Sequence, residues 1–88
     1  MRRVAQQIAE TPSLDWVVNT AVTLANVAGT KLDLGAVDDA RLAVDALAAL
    51  VTGLGSQLGQ AEAPLRQTVA QLQMAYAEQV TPPPTAAP

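Results

Sequence analysis

The chain contains no cysteine, no histidine and no phenylalanine. Without cysteine there can be no disulfide, no zinc–thiolate centre and no iron–sulfur cluster. Without histidine the commonest metal ligand and the commonest general base are both missing. Aromatic side chains are reduced to Trp16 and Tyr76. The only serines are Ser13 and Ser56 and the only lysine is Lys31. A nucleophile needs an activating base, so Ser13 reads as a helix cap and Ser56 as a turn residue. Positive charge is scarce: five Lys and Arg stand against eight Asp and Glu, a net charge of −3. That balance argues against binding to phosphate backbones. Long apolar runs are missing too. The uncharged stretches Trp16–Thr30 and Ala46–Ala61 fall short of the roughly 20 residues a membrane-spanning helix needs. Arg2-Arg3 is followed by Gln6, Gln7 and Glu10, which interrupt the apolar run of a signal peptide. The composition therefore points to a cytoplasmic protein with no membrane segment, no cofactor, no metal and no enzymatic activity.

What is present is helix-forming and apolar. Half of the 88 residues are hydrophobic, mostly Ala, Leu and Val, and alanine has the highest helix propensity. A single core of this size supplies only about 3–5 kcal/mol. With disulfides and metals excluded, oligomerisation is the remaining route to stability.

The pattern divides into an N-terminal arm or short helix (1–12), a three-helix domain (13–80) and a proline-rich, uncharged tail (81–88) that reads as disordered. Thr11-Pro12-Ser13 breaks the arm from the domain. Ser13 is a candidate N-cap, with Asp15 in the first turn. The first helix is predicted over 14–28, stopped by Gly29. A loop is predicted over 29–35, in which Asp33 caps the second helix. That second helix is predicted over 36–54. Within it Val37, Val44, Val51 and Leu58 repeat every seven residues, and Ala40, Leu47 and Leu54 do the same at an offset of three, an a/d seam. Leu42, Ala43, Ala46, Ala49, Leu50 and Gly53 extend apolar or small character around most of the remaining girth. Only Asp38, Arg41, Asp45 and Thr52 form a polar stripe. A helix apolar on so many sides is buried on several of them, more than two neighbours from one short chain can cover. The third helix is predicted over 60–80, with Leu65, Val69, Leu72, Tyr76 and Val80 on its one apolar side and Met74 facing outward.

Several stretches also resemble a known family. Gln7-Ile8-Ala9-Glu10-Thr11-Pro12 precedes a Val/Ala/Thr helix. Asp39 to Leu47, reading DARLAVDAL, comes after a short loop. Ala63-Pro64-Leu65-Arg66 and Leu72-Gln73-Met74-Ala75-Tyr76 lie beyond it. In this order, over roughly residues 5–79, they are similar to the actinobacterial branch of a small bacterial family called domain of unknown function 1844. The resemblance implies a short helical domain with no established activity and no functional residues to carry over. Relatives' genes often lie near those of a translation initiation factor and large-subunit ribosomal proteins, which hints at translation. Relatives often carry a histidine-containing segment before the third helix; here that segment is Gln60-Ala61-Glu62.

Candidate sites are few. Adjacent Asp38 and Asp39 read as complements to a helix dipole, with a weak divalent-metal site alongside Asp33 or Asp45 as the alternative. Arg41 and Asp45, four apart, read as a surface ion pair. Gly55 to Gly59 reads as a turn. Trp16 lies off the core face of the first helix with Thr20, Thr23 and Val27. Either a partner covers it or the arm folds back over it through Val4 and Ile8. The expected assembly is a homodimer, built through Trp16, Val27, Leu42, Ala43, Ala46, Leu47, Leu50 and Leu54. The alternative function is a ribosome- or RNA-associated accessory factor of translation, drawing on Arg2, Arg3 and Arg66.

Overall fold

The computed structural model describes residues 2–80, and these are helical almost throughout. Helix α1 spans Arg2–Glu10, α2 Ser13–Asp33, α3 Val37–Leu54 and α4 Glu62–Val80; a 3-10 segment, Gly55–Ala61, joins α3 to α4. Helices α2, α3 and α4 all pack on one another, a three-helix bundle with α1 as an N-terminal extension. The tail expected to be disordered lies outside the described residues.

Two boundaries differ from the sequence reading. Helix α2 runs straight through Gly29 and ends at Asp33. The extra turn buries Leu32, and that apolar gain outweighs the roughly 1 kcal/mol cost of a helical glycine. The real stop is Gly35, with φ of 79°. Its N–H donates to the Leu32 carbonyl, and the Ala36 N–H donates to the Lys31 carbonyl. This is the Schellman arrangement, which needs a left-handed residue where only glycine is unstrained. Asp33 thus ends α2 and does not cap α3, whose N-cap is Ala36. Ser13 is likewise the first helical residue, not the cap. Pro12 occupies the cap position with extended ψ, and no side chain caps the end.

The core is small-grained. Ala21 and Ala28 of α2 and Ala40 and Ala43 of α3 are buried, so these two backbones approach closely. Leu47, Val51 and Leu58 are the largest side chains fully enclosed, joined by Val44, Leu65 and Val69. Leu58 completes the heptad of α3 although the chain has already turned away. Gly55 and Gly59 both adopt positive φ with ψ near −130°, and the 3-10 segment between them folds Leu58 back under α3. The C-terminal end is tied down by Gln79, whose side-chain amide donates to the Leu32 carbonyl at 2.8 Å.

The region Val37–Val80 contains a window long and apolar enough, by composition, to cross a membrane. Helix α3 alone does not supply it: its 18 residues include Asp38, Asp39, Arg41 and Asp45, so any qualifying window runs past Leu54 into the glycine-bounded turn.

Candidate interaction surface

On α2 the exposed Trp16, Thr20 and Val27 and the half-buried Lys31 follow one another at intervals of four, seven and four, and so share a stripe. On α3, Leu42, Ala46, Ala49 and Gly53 do the same at intervals of four, three and four. Lys31 at the end of the first stripe lies 2.6 Å from a carboxylate oxygen of Asp39, three residues before Leu42 at the edge of the second. That ion pair places both stripes on the same side of the α2–α3 pair. Helix α4 lies on the other flank: Val44 and Asp45 adjoin Gln73 and Tyr76, while Ala48 and Val51 adjoin Arg66 and Val69.

The stripe side is apolar and open. Trp16 is 45% exposed, Val27 40% and Leu42 71%. The intervening threonines add to its apolar character. Thr20 Oγ1 donates to the Trp16 carbonyl and Thr23 Oγ1 to the Asn19 carbonyl, each at 2.9 Å. With their hydroxyls turned back onto the helix, both present methyl groups. A shallow depression of about 250 Å³ beside Val27 is bounded by Asn26, Thr30 and Lys31.

The structure sorts the expected interface residues into two groups. Trp16, Val27 and Leu42 are exposed and Ala46 is half-buried on the open side. Ala43 and Leu47 are enclosed by the chain's own helices, at 7% and 0% exposure, and so offer a partner no surface. Their heptad positions serve the intramolecular seam, because α2 and α4 between them cover the core side of α3. Leu50 and Leu54 are half-buried against the same core and form the margin of the open face. The alternative covering for Trp16 is not realised: no Cα of α1 lies within 8 Å of those of the other helices. Val4 and Ile8 are themselves exposed.

Other candidates disperse. Lys31, Arg41 and Arg66 each engage a carboxylate: Lys31 pairs with Asp39, Arg41 with Asp45 at 3.6 Å, and Arg66 with Glu62 at 3.0 Å. Among the described residues no basic patch gathers around Arg66, and no cluster of acidic side chains is arranged to hold a metal ion. Asp38 and Asp39 stand in the first turn of α3, where they complement its dipole. Met74 faces outward as expected, and Tyr76 is half-buried. An open cleft of about 560 Å³ between the start of α2 and the 3-10 segment is lined by Leu14, Asp15, Val18, Asn19, Leu58 and Ala61. Thr11, Asp15, Asn19 and Gln60 supply its polar edge. No family model, curated protein or solved structure matches the chain.

Proposed function

We propose that this protein is a non-enzymatic interaction module of the cytoplasm that self-associates through the side of α2 and α3 left open by α4. The observation that carries this reading is the concentration of Trp16, Val27 and Leu42 on that one side, with small residues between them. Tryptophan is enriched among interface hot spots. Small residues on α3 let a partner helix approach as closely as α2 and α3 approach each other. The same face offers a core whose largest fully enclosed side chains are Leu47, Val51 and Leu58 further apolar burial without disulfide or metal. Leu50 and Leu54 contribute at the margin, while Ala43 and Leu47 act from inside by holding α3 in place.

Light scattering across a dilution series tests the reading. A mass of two chains at tens of micromolar, falling to one chain on dilution, is expected. A single chain at every concentration would refute it.

A further inference from the structure

Helix α1 is amphipathic and, among the described residues, packs on no other helix. Val4 and Ile8, one turn apart, are 59% and 56% exposed, while Gln6 and Glu10 are bonded to each other at 3.1 Å on another face. Pro12, with ψ of 145°, blocks α1 from continuing into α2, and the Thr11–Pro12 joint carries it clear of the bundle. Among the described residues, therefore, an apolar helix face and an apolar bundle face are both left without a partner.

We propose that α1 of each chain packs on the α2–α3 face of a second copy, forming an arm-exchanged antiparallel dimer. This rests on the self-association proposed above and specifies what covers the Val27–Leu42 half of the face. The lengths agree. Val4 and Ile8 lie four residues, about 6 Å, apart along α1, as do Leu42 and Ala46 along α3. Because α1 projects beyond the Trp16 end of its own bundle, a two-fold axis through the Trp16 halves leaves each arm lying over the Val27–Leu42 half of the other copy. In that register Val4 meets Leu42, and Ile8 meets Ala46.

The charges agree as well. The first turn of the arm carries Arg2 and Arg3, whereas the α2–α3 turn it reaches carries Asp33, Asp38 and Asp39 against Lys31 alone. Counted over the sequence, residues 1–12 have two Arg and one Glu (side-chain charge +1), and residues 13–88 have three cations and seven acids (−4). The arm and the rest of the chain are therefore opposite in sign. The exposed ends of this contact make it weaken with salt.

The absence of native cysteine gives a clean test. Chains carrying Val4→Cys are mixed with chains carrying Leu42→Cys and oxidised mildly. The expected main product is the mixed disulfide dimer. Like-with-like dimers in its place overturn the arrangement. In parallel, the double variant Val4→Asp/Ile8→Asp is expected to raise the dimer Kd at least about 30-fold while leaving the melting of the diluted bundle unchanged, since α1 contributes nothing to the core. An unchanged Kd overturns arm exchange and leaves self-association standing; a wild-type chain that is monomeric throughout removes both. Binding of the wild-type chain to anionic vesicles that disappears in the double variant, with the dimer unaffected, assigns the arm to a lipid surface and overturns the proposal.

Discussion

Replacing Leu42 with glutamine isolates the open face from the fold. Both residues have similar helix propensity, and Leu42 is 71% exposed in the single chain, so the monomer should lose almost nothing. Fully burying a leucine contributes about 1.5–3 kcal/mol. Scaling by the exposed fraction leaves about 1–2 kcal/mol available to a partner. A symmetric dimer counts the residue twice, which gives about 2–4 kcal/mol, or roughly 30- to 1,000-fold in Kd. Sedimentation equilibrium measures the dimer constant, and circular dichroism melting of dilute protein measures the subunit. The expected result is a weakened dimer with an unshifted monomer melt. An unchanged Kd would place Leu42 outside any interface and refute the reasoning. Leu50 cannot serve this purpose, because its contact with the core would mix unfolding with dissociation.

Leu47→Ala and Leu58→Ala should each destabilise the subunit by about 2–5 kcal/mol, read as a lower urea midpoint, because both side chains are enclosed. Two glycines should respond with opposite signs. Gly29→Ala should stabilise by about 0.5–1 kcal/mol, since it is helical with nothing within 4 Å of an added Cβ; Gly35→Ala should cost about 1–2 kcal/mol because of its φ of +79°. Urea titration of the pair side by side checks the contrast, and equal effects would deny that Gly35 is the stop of α2. Lys31→Ala should cost no more than about 1 kcal/mol, with the difference vanishing at high salt, as its ion pair with Asp39 is largely exposed.

The helical class, the limits of α3 and most of its core side were legible in the spacing of Ala40, Val44, Leu47 and Val51. What periodicity could not convey was which apolar side of α3 receives which neighbour. A heptad marks a seam without saying whether the chain or a second copy fills it, and for that reason Leu47 and Ala43 could be read as interface when they are intramolecular. The end of α2 is ambiguous in sequence for a related reason. Gly29 and Gly35 carry the same stop signal locally, and only the burial of Leu32 beyond Gly29 decides between them. The joint at Thr11–Pro12 was plain from the sequence, but the direction α1 takes from it depends on tertiary packing, or here on its lack.

Exposed apolar residues alone would not support an interface, because most folded surfaces carry them singly. Leu34, Val22, Met74 and Val80 are of that kind. Leu34 is the most exposed of the large apolar side chains among the described residues, yet it sits at the α2–α3 turn, and Met74 lies on a different helix. Trp16, Val27 and Leu42 differ in arrangement. They come from two helices, recur at helical spacing and are brought to one side by an ion pair between those helices. Around them stand Thr20 and Thr23 with inward-bonded hydroxyls, small residues on α3 and, towards the α2–α3 turn, the Lys31–Asp39 ion pair. The physical distinction is between isolated apolar side chains and a strip that recurs along two helices, in which Thr20 and Thr23 are bonded back to their own helix and the charges at the α2–α3 turn, Lys31 and Asp39, are paired with each other.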